Sequence, residues 1–182
     1  AEYLDFRKAK GNAFENRLRL RGYSAKSFGD SSEGELDALK RDMGLRFPEN
    51  LTPFRDALKI LSDLSSIVYR DGRPMAYCAL SDCEYDEKTA VVEYMACASE
   101  YINTGAGPWA LMKCLDGLFS LSAAKAYKKV IFLFNGANAE MRNLVNGPLT
   151  KFKGRVISES RCYKIRLGDQ ISLSPETAQG PG

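Results

Sequence analysis

Cys97-Ala98-Ser99-Glu100-Tyr101-Ile102-Asn103-Thr104-Gly105-Ala106-Gly107-Pro108-Trp109-Ala110-Leu111 carries a strand-like run into a glycine-bearing turn and straight on into a helix. Ala90-Val91-Val92-Glu93-Tyr94-Met95-Ala96-Cys97 is mostly apolar and rich in strand formers, whereas Leu111, Cys114, Leu115, Leu118 and Ser122 mark one face at helical spacing. Gly105 and Gly107 allow a backbone to approach a ligand closely, and Pro108 suits a first helical position, where its missing N–H has no partner to lose. Free amides and the helix dipole at such a junction favour an anion, phosphate above all. Two glycines before a helix also serve simply as a tight connection, so the junction by itself leaves both readings open.

Upstream, Ser66-Ile67-Val68-Tyr69-Arg70 and Met75-Ala76-Tyr77-Cys78-Ala79-Leu80 flank the turn sequence Asp71-Gly72-Arg73-Pro74, which predicts a hairpin. A polar loop over 81–88 would then lead into the strand ending at Cys97, giving a three-strand meander. Ser31-Ser32 precede a short helix through Leu36, Leu39 and Met43 that Gly44 ends. Thr52-Pro53 open a second helical stripe, through Phe54, Ala57, Leu58, Leu61 and Leu64. Arg17-Leu18-Arg19-Leu20-Arg21 alternates with a period of two, as an edge strand does, and would be either a solvated edge or a basic face for a phosphate or an acidic partner.

Downstream, Val130 to Phe134 is wholly apolar, as in a strand covered on both faces, and Asn138 caps a helix through Met141 and Leu144 that Asn146-Gly147-Pro148 stops. Arg155 to Glu159 and Cys162 to Leu167 read as a closing hairpin. The expected organisation is one domain over 1–170 and a polar, disordered tail over 171–182.

The 182 residues suffice for one hydrophobic core, and the net charge of +3 excludes a molecule coated in positive potential for nucleic acid. Five cysteines without C-x-x-C spacing read as reduced core residues of a cytoplasmic protein, and no apolar run spans a bilayer or forms a signal peptide. Histidine is absent altogether. That removes Ser-His and Cys-His nucleophile pairs and the commonest zinc ligand sets, leaving carboxylates, tyrosines, lysines, amides and water for any chemistry.

In this succession of elements the chain resembles the GNAT superfamily of acetyl-CoA-dependent N-acyltransferases. The family's pyrophosphate loop is close to V-x-P-x-Y-R-G-x-G-x-G/A. Cys97 takes the valine place, Ser99 the proline, Tyr101 the aromatic, Ile102 the arginine or glutamine, and Gly105 and Gly107 the two defining glycines. Asn138 to Val145 is similar to the family's N-x-x-A-x-x-L-Y pattern, with Val145 where a tyrosine often serves as general acid. Ile102 and Val145 are departures.

The resemblance implies an α/β (α+β) fold with a mixed, mostly antiparallel central sheet flanked by helices. It implies acetyl-CoA or another acyl-CoA as co-substrate, its pyrophosphate on the amides from Asn103 through Thr104, Gly105, Ala106 and Gly107 to Trp109, with Asn138 nearby. The pantetheine arm would lie along the strand bearing Met95 and Cys97, whose N–H groups polarise the thioester. Glu93 is the candidate base for an amine acceptor, directly or through water, although it also fits the outward side of a strand. Tyr94, Tyr101, Tyr163 or solvent would protonate the departing thiolate. The alternatives are a catalytically inactive module that binds protein or nucleic acid through Arg17, Arg19 and Arg21 or Lys151, Lys153 and Arg155, and an enzyme whose donor is acyl-carrier protein or aminoacyl-tRNA.

Overall fold

Five strands lie side by side in chain order: β1 (Tyr23–Ser27), β2 (Ser66–Arg70), β3 (Arg73–Cys83), β4 (Asp86–Cys97) and β5 (Lys129–Phe132). The first four are antiparallel and β5 joins β4 in parallel, so the sheet is mixed and mostly antiparallel, as expected. A parallel neighbour needs a crossover, which α4 (Ala106–Lys125) supplies. This computed structural model describes residues 2–55, 59–125, 127–132 and 143. Asn138, Val145, Tyr163, the capped helix, the closing hairpin, the basic cluster at 151–155 and the tail over 171–182 lie outside them.

The β2–β3 turn is two residues long, with Asp71 at φ 52° and Gly72 at φ 74°. Positive φ at both central positions is the turn whose twist matches that of the flanking strands. The polar loop expected over 81–88 shrinks to a reversal at Glu84 and Tyr85, because β3 runs to Cys83 and β4 starts at Asp86. Asp86 holds that end: its carboxylate accepts from Thr89 Oγ1 at 2.8 Å and from Lys129 Nζ at 3.0 Å.

Two expectations are corrected. Arg17 to Arg21 is no edge strand but the end of an N-terminal helix, α1 (Glu2–Phe6), which continues through a π turn at Arg7–Gly11 into α2 (Asn12–Leu20). Five alternating residues are too few to separate the two periods, arginine and leucine are good helix formers, and Phe14 with Leu18 supplies the inward face. The stripe from Thr52 to Leu64 forms no helix among its described residues; only a 3₁₀ turn at Glu49–Leu51 precedes it. Its backbone is spent on β3 instead: Leu61 N–H donates to Leu80 O at 2.8 Å and Ile60 bridges Ser81. Such tertiary pairing overrides local propensity.

The third helix, α3 (Glu33–Asp42), forms as read. Ser32 Oγ accepts from Glu35 N–H and Glu35 Oε2 accepts from Ser32 N–H at 2.8 Å, a reciprocal cap. The sheet separates two cores. On the α4 side, Val68, Cys78, Leu80 and Val92 pack with Trp109, Leu111 and Leu115; on the α3 side, Ile67, Tyr69, Tyr77 and Ala96 pack with Phe28, Leu39 and Phe47. Each large side chain so buried contributes about 1.5–3 kcal/mol. The N-terminal helix is fastened to α4 by a polar knot: Tyr3 Oη donates to Asp116 at 2.7 Å, Arg7 Nε donates to Asp116 at 2.9 Å, and Glu15 pairs with both Arg7 and Arg19.

Candidate functional site

Along β3 and β4, Leu80 faces Val92 but Ala79 faces Tyr94, so Glu93 is an extra residue in a β-bulge. The bulge inverts the alternation of β4. Before it, Ala90 and Val92 point to the α4 side; after it, Met95 and Cys97 do, while Tyr94 and Ala96 point to the α3 side. Glu93 shares the α3 side with Tyr94, because Ser81 Oγ, also on that face, donates to Glu93 Oε1 at 2.6 Å. Neither reading of Glu93 as a plain outward strand residue nor its sequence context anticipates Ser81 as its partner. Tyr94 is half-buried, with the Arg55 guanidinium carbon 5.9 Å from its ring centre.

Described pairing with β5 runs from Thr89–Lys129 to Val92–Phe132. Glu93, Tyr94, Met95 and Cys97 are all partly exposed. One strand thus presents a carboxylate and a phenol on one face and two sulfur-bearing side chains on the other, within a few residues of the glycine turn.

In the turn, Asn103 and Gly105 take positive φ, 71° and 92°. Thr104 Oγ1 donates to Tyr101 O at 2.8 Å, and the Thr104 amide also donates to Tyr101 O. Trp109 N–H donates to Gly105 O at 3.0 Å and the Trp109 indole is fully buried, so this residue is placed as packing under the helix rather than in the cradle. Among the described residues, the amides of Asn103, Gly105 and Gly107 have no hydrogen-bond partner, and Ala106 N–H has only a 3.4 Å contact with Thr104 Oγ1. Those amides, at the start of a 20-residue helix, are the groups that an anion would meet.

The glycines themselves have a different explanation from the one their spacing suggests. A Cβ on Gly107 would stand 2.6 Å from Cys97 Sγ, and one on Gly105 would stand 3.1 Å from the Phe14 ring. Their missing side chains admit β4 and α2. The mouth of the turn nevertheless stays open: a cavity of about 190 Å³ lies beside Thr104, lined also by Phe14, Arg17, Leu18 and Arg21. A larger hollow of about 450 Å³ lies between Cys83 and Lys88, at the far end of β4 from the turn and away from every candidate site residue.

The start of the turn is tied down by Arg46, which pairs with Asp42 and Glu100 at 2.5 Å each and whose carbonyl accepts from Ser99 N–H. Burial pushes the Tyr77 phenol upward, and its hydroxyl donates to Leu51 O at 2.6 Å. No group of metal-ligating side chains occurs among the described residues, no disulfide joins Cys78, Cys83, Cys97 or Cys114, and no described helix is long and apolar enough to cross a membrane. The suggested basic face of α2 is broken, since Arg19 is paired with Glu15 at 2.6 Å.

No family model matches the chain, and no curated protein sequence matches it. Solved structures do. The ribosomal-protein-S18-alanine N-acetyltransferase from Escherichia coli superposes with a TM-score of 0.51 at 15% identity, over 69% of this chain and 76% of that one. The diaminobutyrate acetyltransferase from Paenibacillus lautus, solved with L-2,4-diaminobutyric acid and coenzyme A, gives 0.49 at 15% identity, over 72% of this chain and 75% of that one.

Proposed function

The fold is that of the GNAT superfamily, and from that premise we propose that the chain transfers an acyl group from acyl-CoA to an amine by direct attack, in the cytosol. The observation that carries this reading is the bulge, which sets a hydrogen-bonded carboxylate beside Tyr94 on β4, a few residues before a helix N-terminus whose amides have no partner among the described residues.

The donor would supply an activated thioester carbonyl. The chain's own groups do the rest. Asn103, Gly105 and Gly107 offer amides to the diphosphate, and this cradle needs no cation from Ile102, which is itself an exposed apolar side chain. The stretch from Glu93 to Cys97 would offer backbone to the pantetheine arm and, from Met95 or Cys97, an N–H to the carbonyl oxygen as it gains negative charge.

An amine arrives protonated, and Glu93 takes that proton, directly or through a water. The Ser81 hydroxyl orients the carboxylate while leaving its second oxygen to the acceptor. Nitrogen then bonds to the carbonyl carbon as the carbon–sulfur bond breaks, its electron pair leaving on sulfur, and the nitrogen gives up its second proton to solvent to become the neutral amide. Tyr94, on the face of Glu93, would return a proton to that thiolate. The acceptor therefore enters from the α3 side. Acetyl-CoA at a hundredfold over its Kd should raise stability by about 2.7 kcal/mol, read as a rise in Tm. No shift with acetyl-CoA or any longer acyl-CoA refutes the proposal.

A further inference from the structure

We infer that Arg17 and Arg21 of the N-terminal helix, together with Thr104 and the unpaired amides of the glycine turn, form a phosphate-recognition site for the nucleotide end of the donor. The inference rests on the donor reading above and adds to it the residues that select the donor's charge. Phe14, Arg17 and Leu18, spaced i, i+3 and i+4, share one face of α2, Arg21 is the residue that caps its C-terminus, and all four line the cavity beside Thr104. The apolar pair closes against the turn, with Phe14 nearest to Gly105 and Leu18 3.8 Å from its missing Cβ. The cationic pair is left at the cavity's rim, exposed.

Two arginines four residues apart on a helix repel each other, so their shared position asks for an anion. The protein supplies none: among the described residues neither guanidinium has an acidic partner, although Arg7, Arg19 and Arg46 each have one. The turn is equally short of positive side chains, since no lysine or arginine occurs between Cys97 and Met112. A phosphate in this cavity would meet unpaired amides from one wall and guanidinium groups from the other, the pairing in which arginine is strongest.

The test is calorimetric titration of the full chain with coenzyme A and with 3′-dephospho-coenzyme A, at two salt concentrations, for wild type, R17A/R21A and R17K/R21K. Alanine keeps helix propensity and lysine keeps charge, so the ligand-free Tm should hold in both variants. We expect R17A/R21A to weaken coenzyme A binding by about tenfold or more and to flatten its salt dependence, with R17K/R21K between. An equal loss on both ligands assigns the arginines to the diphosphate; a loss confined to coenzyme A assigns them to the 3′-phosphate. Unchanged Kd and salt dependence in R17A/R21A overturn the inference and leave the donor reading standing. A wild-type chain that binds neither ligand overturns both.

Discussion

Replacing Gly107 by alanine separates two explanations of the glycine turn. Its new Cβ would lie 2.6 Å from Cys97 Sγ, closer than real Cβ atoms come to a neighbour, and Cys97 belongs to a paired strand that cannot retreat freely. Overpacking of that kind costs about 1–3 kcal/mol, while exchanging glycine for alanine in a helix returns at most about 1 kcal/mol, less in a first turn. We expect Gly107→Ala to lower unfolding free energy by about 1–2 kcal/mol in urea titrations. In a Cys97→Ala background the clash is gone, so the same substitution should become neutral or stabilising, a coupling of at least about 1 kcal/mol in a double-mutant cycle. If Gly107→Ala costs the same in both backgrounds, the glycine does not exist to admit Cys97. Acetyl-CoA affinity measured on the double variant then completes the separation: near-wild-type binding means the glycine serves packing alone.

Glu93→Gln should lower kcat by about 10²–10⁴-fold while leaving the Kd for acetyl-CoA close to wild type; an unchanged kcat removes Glu93 from the chemistry. The Lys129 ammonium, with Thr89 and the Lys88 amide, holds the Asp86 carboxyl down at about 2 from an ordinary 3.8. A lowered folded-state value means this tie is complete above pH 4 and is lost as pH falls towards 2, and Lys129→Met should let Asp86 titrate nearer 3.8 by carboxyl NMR. Burial works against ionisation of Glu15, but hydrogen bonds from Arg19 and Arg7 outweigh it and hold its carboxyl below the usual 4.5. Glu15→Gln should therefore cost about 1 kcal/mol at pH 7, because Arg7 keeps Asp116 but loses its second carboxylate and Arg19 loses its own, and the gap should close as pH falls below that range. A gap that persists at pH 2 would place the effect in packing.

The strand, turn and helix around Gly105 were legible because each depends on residues close in sequence: a hydrophobic run, glycines needing positive φ or close approach, and a helical stripe. The Asp71-Gly72 turn and the Ser32 cap were legible for the same reason. Glu93 stood out as a charge in an apolar run, but its role could not be seen, since the bulge exists only in the register between β3 and β4. The helix over 52–64 was misread because backbone bonds from Leu61 and Ile60 to β3 belong to the tertiary structure. Arg17 and Arg21 were misplaced by a five-residue alternation. Extending the window to Phe14 exposes the i, i+3, i+4 spacing that puts Arg17 on one helical face with two apolar residues. The purpose of Gly107 was invisible, for nothing local says that Cys97 will stand against it.

The same extra residue that sets Glu93 beside Tyr94 also decides what meets the start of the helix. Without a bulge, strict alternation from Val92 would send Tyr94 and Ala96 to the α4 side and Met95 and Cys97 to the α3 side, since a one-residue slip exchanges the faces of everything beyond it. Ala96 would then take the place opposite Ala76 that Cys97 holds, and Tyr94 the place opposite Cys78 that Met95 holds. The sulfur that stands against Gly107 would leave that face, and Glu93 would no longer share a face with Tyr94. The carboxylate–phenol pair and the fit at Gly107 are thus two results of one insertion. A chain that needed only a packed sheet would gain nothing from it, because the bulge gives up ladder regularity between β3 and β4. A hydrogen-bonded Glu93 beside a phenol, with amides that have no described partner a few residues on, is what a site requires and a plain core does not.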